Sequence, residues 1–418
     1  MSSHDEKTRS LMFLSLLCFA LADVRDGLGP FLGVFLQEKG WNPDEIGYVM
    51  TAGGLAGMLC ATPLGALADW TVRKRLLLGL ATVGVVVVCG LVLLSSDHSV
   101  VWTSRIAQGA FAAAIAPTLT GITLGLVGQQ GLPLRLGTNE AWNHFGNCST
   151  ALGAGVVGYF YGITGVFAVM AVMGALVVVC LARINPRQID HAVARGLERR
   201  QEDAPSPFAA LLSDRALLAV AGVLFFFHLG NAAMLPLLGQ SAVARFQVGP
   251  EVYTAATVFI AQTTMIATSL WSARIALTRG YGILFWVALI ALPIRGMVAC
   301  FYDSPWSLVP VQILDGVGAG LMGVATPGIV ARLLQGTGHI NMGLGFALTI
   351  QGIGAAFSSS YGGLFARHIS YNAAFLYVGA GAVPGSDSFC RSRQVPAVTG
   401  ESGFPLCGEM TAGGDFLL

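Results

Sequence analysis

Three charged residues, Asp23, Arg25 and Asp26, lie almost side by side in the first apolar stretch, Leu11 to Leu36. That stretch is long enough to cross a bilayer. A charge at the centre of a membrane helix costs about 2.5–3.5 kcal/mol on insertion scales, so a chain keeps it where it pairs, lines a water-filled cavity or acts on a substrate. The two aspartates are three residues apart and share one helix face. Two interpretations are open: an ion pair that joins two helices, or part of a substrate or proton pathway.

Polar residues in the other apolar stretches extend this set. Arg105 is the natural partner of Asp23 or Asp26, and Arg295 is a candidate partner for Asp315. We expect Glu140 at the mouth of its helix. Each of these groups has a structural alternative, because polar side chains also hydrogen-bond membrane helices to one another. The candidate pathway consists of Asp23, Arg25, Asp26, Arg105, Asn143, His144, Asn147, His228, Asn231, Arg295 and Asp315.

The sequence lacks the patterns typical of a metal, a nucleotide or a catalytic centre. It contains no HxxxH or CxxC spacing for a metal and no Walker loop for ATP. No group of nucleophile, base and metal ligands lies near a membrane face. We therefore expect no metal, no cofactor and no enzymatic activity.

Composition places the whole chain in a membrane. Of its 418 residues 54% are hydrophobic and only 11% are charged, whereas a soluble domain has about 25% charged residues. The net charge of +1 and the lack of a basic stripe with interleaved aromatic residues predict no nucleic-acid partner. Composition itself predicts the lipid bilayer as a partner; a small-molecule solute, protons and a monomeric protein are what the family resemblance described below implies.

Twelve apolar runs predict an all-α membrane protein. The runs form two sets of six around a polar, proline-containing linker, and the last run is too short to span comfortably. After it the chain is rich in Gly, Ser and Pro, as a frameshifted reading frame would produce; a short real helix with a disordered tail is the alternative. The predicted organisation is a six-helix bundle at 1–182, a cytoplasmic linker at 183–213, a second six-helix bundle at 214–383 and an irregular tail at 384–418.

Lys and Arg predict the orientation. With the N-terminus inside, fifteen of the 23 Lys and Arg residues fall in cytoplasmic segments and three on the other side. Cytoplasmic loops carry such an excess. We therefore predict a multi-pass membrane protein with a cytoplasmic N-terminus; the family resemblance described below implies the bacterial inner membrane.

The loop after the second predicted helix reads GALADWTVRKR from Gly65. It resembles motif A of the major facilitator superfamily, G-x-L-x-D-R-x-G-R-[KR], in which Gly65, Asp69, Arg73 and Lys74 match. A carboxylate in this position can cap a neighbouring helix in one conformational state only. Arg105, followed by Gln108 and Gly109, resembles the family's motif B, where a buried Arg is implicated in proton coupling. Similar segments in the two sets of helices are consistent with two parallel repeats and a binding site between them.

The resemblance implies a 12-helix fold of two six-helix bundles, with the last helix truncated here. It implies a secondary active transporter that works by alternating access. Proton coupling through Asp23, Asp26 and Arg105 is the favoured energy source, and efflux the favoured direction, although the Gly-Pro motif C of drug/proton antiporters is absent. The alternative is a proton-linked importer or facilitator of a small polar or anionic metabolite. A non-transporting receptor or sensor on a transporter fold is a hypothesis from a different class.

Overall fold

The chain is helical throughout the part that the structure describes. The structure, a computed structural model, describes residues 3–26, 29–197, 214–246 and 250–381. No strand occurs within those ranges. Eight helical stretches there are long and apolar enough to cross a membrane. The twelve-helix count remains a prediction, since the first helix carries several charges and the last described helix has only 10 residues.

The N-terminal half contains six helices in the described residues. The third starts where Pro43 fixes a helical φ, and the Glu45 carboxylate accepts a hydrogen bond from the backbone N–H of Asn42 at 2.9 Å. Gly27 and Leu28, at the predicted helix break, lie outside the described residues. The helices are α1 Ser3–Asp26, α2 Gly29–Glu38, α3 Pro43–Trp70, α4 Lys74–Leu94, α5 His98–Ala113 and α6 Ile115–Arg183.

Helix α6 changes direction twice at glycines. Gly128 has φ 70° and ψ 176°, and Gly162 has φ 67° and ψ −169°. Only glycine adopts such angles readily. The 69 residues of α6 therefore form three straight segments that follow one another without an intervening loop.

The C-terminal half contains seven helices in the described residues. The first is capped by Asp214, whose Oδ1 accepts hydrogen bonds from the N–H groups of Ala216 and Leu217. Residues 198–213 of the predicted linker and 382–418 of the predicted tail lie outside the described residues. The helices are α7 Arg215–Asn231, α8 Met234–Phe246, α9 Pro250–Arg279, α10 Gly282–Phe301, α11 Leu308–Leu333, α12 Ile340–His368 and α13 Tyr371–Ala380.

The two halves pack together mainly through two helix pairs, α3 with α12 and α6 with α9. Gly137 of α6 lies against α9 so closely that an added Cβ would be 2.5 Å from the backbone oxygen of Ser269. Between the halves, residues 184–197 are compactly folded, and Ala194 is fully buried. The predicted polar linker thus begins as a packed segment, and the domain boundaries remain predictions.

Candidate functional site

The Asp69 carboxylate joins the two halves of the molecule. It lies at the end of α3 and is only 5% exposed. Its Oδ1 accepts hydrogen bonds from the backbone N–H and the side-chain Nδ2 of Asn341, at 3.1 and 2.7 Å. Its Oδ2 accepts from the backbone N–H of Met342 at 2.7 Å. Asp69 therefore caps the N-terminus of α12, where a negative charge is stabilised by the unpaired N–H groups and the helix dipole. We call Asp69, Asn341 and Met342 the latch.

Small residues allow the latch to form. A Cβ added to Gly65 would be 2.3 Å from the backbone oxygen of Asn341, and one added to Gly345 would be 2.2 Å from that of Ala61. Both distances are far below contact, so only glycine permits α3 and α12 to approach this closely. One turn further, the Thr349 hydroxyl donates a hydrogen bond to the Met58 backbone oxygen at 2.8 Å.

The two basic residues of the motif have different positions. Lys74 is 1% exposed, and its Nζ donates to the backbone oxygens of Ala68 and Thr71 at 2.5 and 2.9 Å. These bonds fix the turn that presents Asp69 to α12. Arg73 is exposed and precedes α4.

Residues 184–197 complete the latch end, by which we mean the end of the molecule that contains the latch. The N–H of Asp190 donates to the Gly125 oxygen on α6 at 3.0 Å. The oxygen of Ala194 accepts from Asn341 Nδ2 at 3.0 Å, and the oxygen of Gly196 accepts from the N–H of Gly336 at 2.5 Å. This segment is therefore bonded to both halves.

A second polar contact between the halves lies further along α6. Nδ1 of His144 is 2.8 Å from Oε1 of Gln262 on α9. Nε2 of His144 is 3.8 Å from Oε2 of Glu140, one turn earlier. Glu140 also lies against Gly323 of α11. Arg25 of α1 is exposed and within electrostatic range of both Glu140 and His144. We call Arg25, Glu140, His144 and Gln262 the central cluster.

Other predicted residues of α1 and α6 lie near this cluster in sequence. Asp23 is partly buried, and the side chain of Asp26 is outside the described residues. Asn143 and Asn147 are half-buried, and no side-chain hydrogen bond of either occurs among the described residues. Of the predicted residues in α1 and α6, the structure brings together Arg25 and His144.

Arg105 is partly buried in the N-terminal half. Its Nε and Nη1 have no hydrogen-bond partner among the described residues. A Cβ on Gly53 of α3 would be 3.4 Å from its Nε. The predicted contact with Asp23 is not made through these two nitrogens. Three residues later, Nε2 of Gln108 donates to the backbone oxygen of Arg25 at 3.2 Å, which holds α5 against α1.

The C-terminal half contains a buried ion pair. Nη1 of Arg295 is 2.8 Å from Oδ1 of Asp315 and donates to Oδ1 of Asn231 at 2.6 Å. Arg295 is 1% exposed, so the pair that the sequence left open does form. Its Nε and Nη2, and both polar atoms of the fully buried Gln312, have no partner among the described residues. His228 is not part of this group, because its Nδ1 contacts the Leu224 oxygen of its own helix at 2.9 Å.

Comparison with known proteins assigns the family. The Major Facilitator Superfamily model matches residues 11–294. Two uncharacterized MFS-type transporters of Mycobacterium tuberculosis, from strains CDC 1551 / Oshkosh and H37Rv, are each 37% identical to this chain over 374 residues, which cover 88% of this chain and 89% of theirs. The chain belongs to the major facilitator superfamily. It is therefore a member of a transporter family and not an enzyme.

Solved structures of this superfamily share the fold. The human organic anion transporter MFSD10 (TETRAN) matches with a TM-score of 0.69 and 16% identity, over 93% of this chain and all of the other. FucP, in the outward conformation, matches with a TM-score of 0.74 and 12% identity, over 93% of this chain and 99% of the other. Within the described residues of this superfamily member, no group of three or more His, Cys, Asp or Glu side chains could hold a metal ion.

Two residues of the central cluster, Glu140 and Gln262, are not in the candidate pathway that the sequence predicts. Glu140 was expected at the mouth of its helix, but the helical segment begins near Gly128, about three turns earlier. Residues 129–139 resemble a loop in their polarity. They are nevertheless helical and pack on α9 through Gly137. The signal that could have identified Glu140 is its spacing of four residues from His144, which places both on one face.

Proposed function

We propose that this superfamily member is a proton-linked carrier of a small polar or anionic solute, with the central cluster as its site. The observation that supports this most is the position of the cluster between the halves, where His144 of one half bonds to Gln262 of the other. Solute and ion sites in such folds lie at the interface of the repeats. A positively charged Arg25 favours an anionic solute, and hence the import hypothesis over efflux.

Glu140 is our candidate for the proton-carrying group. It is the carboxylate of the central cluster, packed on Gly323 of α11 and 3.8 Å from His144 Nε2. A group at this position meets different surroundings when the halves separate, so its proton affinity would change with the state of the carrier. Asp23 and Asp26, the carboxylates that the sequence favours, remain the alternative assignment.

The latch supports alternating access as the mechanism. When closed, it joins α3 to α12 at one end, so we propose that the solute reaches the central cluster from the other end. The excess of Lys and Arg places the latch end in the cytoplasm, so we assign the structure to an outward-facing state of a bacterial inner-membrane protein. Counting α1 with α2, α7 with α8, and α5 with the first segment of α6 as single crossings gives the twelve that the family fold requires.

The test is transport in proteoliposomes. Labelled mono- and dicarboxylates are screened for uptake driven by an inside-alkaline pH gradient, and the best substrate is then assayed by counterflow without a gradient. We expect Glu140→Gln to abolish gradient-driven accumulation and to retain counterflow, because exchange needs no net proton movement. Glu38→Gln, at an exposed position of α2, is the matched control and should behave as wild type.

Asp23→Asn distinguishes the two assignments. If Asp23→Asn uncouples transport while Glu140→Gln still accumulates solute, the coupling carboxylate is on α1 and the assignment to Glu140 is wrong. Accumulation driven only by an inside-acid gradient would show proton antiport and reject the import direction. Uptake of none of the carboxylates would reject the anionic solute class.

A further inference from the structure

A groove at the latch end lies outside the transport pathway. Its volume is about 540 Å³, within the range of about 300–1,000 Å³ typical of ligand pockets. It is bounded by the start of α4, the last two turns of α6 and the segment that follows α6. None of the central-cluster residues lines it. No function derived above uses this groove.

The mouth of the groove is basic. Arg73, Arg75 and His191 line it. Nε of Arg75 and Nδ1 of His191 are buried and have no hydrogen-bond partner among the described residues. A buried polar atom without a partner costs free energy, so such atoms are usually occupied by a ligand or water. The adjacent Asp190 is turned into its own loop, where Oδ1 accepts the N–H groups of Ala192 and Val193.

Positive charge at this mouth comes from the arginines. Burial, assisted by the nearby Lys74, lowers the pKa of His191 below its ordinary value, against the opposite effect of Asp190. Burial therefore favours the neutral imidazole, which still provides a hydrogen bond. The start of α4 at Lys74 adds the positive end of a helix whose N-cap side chain makes no cap bond.

The walls of the groove are apolar and face outward. Leu76, Leu80 and Val83 lie on one stripe of α4 and are 53%, 58% and 45% exposed. Val178 of α6 stands opposite at 41%. On a membrane protein, an exposed apolar stripe of this kind is covered by acyl chains. The polar mouth and the apolar wall thus match the two parts of a phospholipid.

We propose that this groove binds one anionic phospholipid, with its phosphate at Arg73, Arg75 and His191 and an acyl chain along Leu76 to Val83. Basic pockets between membrane helices at a membrane surface are suited to such headgroups. Arginine matches the phosphate oxygens in geometry as well as in charge. Gly79 and Leu181 line the groove between these walls, and a Cβ added to Gly79 would be in ordinary contact with Cδ1 of Leu181 at 3.6 Å.

Native mass spectrometry of the purified protein, titrated with phosphatidylglycerol or with phosphatidylcholine of the same acyl chains, tests the headgroup. We expect wild type to bind one phosphatidylglycerol more tightly than phosphatidylcholine. Arg73→Gln with Arg75→Gln should weaken phosphatidylglycerol binding about 30-fold. Each arginine near a membrane surface contributes about 1 kcal/mol of attraction to anionic lipid, and the loss of two arginines converts to that factor. Arg274→Gln with Arg279→Gln, exposed residues of α9, removes the same charge elsewhere and should change nothing.

Gly79→Phe tests the acyl chain. Filling the groove should weaken both lipids and leave the charges in place. Gly90→Phe on the same helix, where an added Cβ meets nothing within 4 Å, is the matched control. Circular dichroism melts check folding, and Arg75→Gln alone is measured if the double variant does not fold.

Three outcomes would overturn the proposal. The first is phosphatidylglycerol binding by the double arginine variant as tight as in wild type. The second is lipid binding by Gly79→Phe equal to that of Gly90→Phe. The third is displacement of phosphatidylglycerol by millimolar inorganic phosphate, which would identify a site for free phosphate. Because lipid binding is measured directly, none of these outcomes depends on the proposed transport function.

Discussion

Asp69→Asn should release the latch. The carboxylate accepts three hydrogen bonds from the start of α12, at 2.7 to 3.1 Å, in a site where it is 5% exposed. Asparagine retains one acceptor oxygen, so it can satisfy Asn341. Its NH₂ group would then point at the Met342 N–H, which is also a donor. The variant loses both the negative charge at a helix N-terminus and one charge-assisted bond.

These losses give the size of the effect. A hydrogen bond to a charged group contributes about 1.5–3 kcal/mol, and a charge at a helix terminus about 0.3–1 kcal/mol. Together they shift the balance between the closed and open latch by about 2–4 kcal/mol, or roughly 30- to 700-fold. A state that is nearly fully closed in wild type would become a measurable mixture.

Spin labels across the latch end measure this shift. Ala182 at the end of α6 and Arg279 at the end of α9 are both exposed, and labels there report the separation of the two halves by double electron–electron resonance in a background without native cysteines. We expect a second, longer distance in Asp69→Asn. Asp97→Asn makes the same change at the start of α5, where the Asp97 carboxylate accepts a hydrogen bond from Ser95 of the same turn. An unchanged distance in Asp69→Asn, or the same shift in Asp97→Asn, would refute the reasoning.

Two further substitutions test the packing and the buried charge. Gly345→Ala should push α12 away from α3, because its Cβ would be 2.2 Å from the Ala61 oxygen. In the control Gly54→Ala the added Cβ meets nothing within 4 Å, so this variant should raise helix stability by up to about 1 kcal/mol. Thermal melts that rank the two variants in the opposite order would contradict this. Arg295→Met should destabilise the fold by about 3–5 kcal/mol, because the buried Asp315 loses its partner. Adding Asp315→Leu should recover part of that loss in the same melts, and no recovery would show that the two residues do not act as a pair.

The sequence predicts the class of fold because the bilayer imposes it. A chain with such long apolar runs and so few charged residues is expected to form membrane-spanning helices. The sequence motif also identifies Asp69 as a helix-capping residue, because a carboxylate beside a basic turn is a pattern that can be recognised within a few residues of the chain. Its partner could not be predicted, because Asn341 is 272 residues away and nothing in the chain marks it. Long-range contacts are set by packing, not by local spacing.

The central cluster could also be predicted only in part from the sequence. Arg25 and His144 stand out in the sequence because charged and titratable groups are rare in apolar runs. Glu140 does not, since the polar residues before it resemble a loop. That region is helical because the neighbouring helices cover it, as the contact of Gly137 with α9 shows. The contact of Arg105 with Asp23 or Asp26 stays a prediction, and two of its guanidinium nitrogens have no hydrogen-bond partner among the described residues.

The folded segment 184–197 links the two halves within one chain, so opening and closing of the latch is an intramolecular equilibrium. Its bonds to Gly125 on one side and to Gly336 on the other attach this segment to both halves beside the latch. Effective concentrations of tethered partners reach the millimolar range when the tether is short. Reclosure is therefore fast and independent of protein concentration. Severing the chain between the halves would turn each closing event into an encounter between two molecules, and the time spent open would then depend on how many copies the membrane contains.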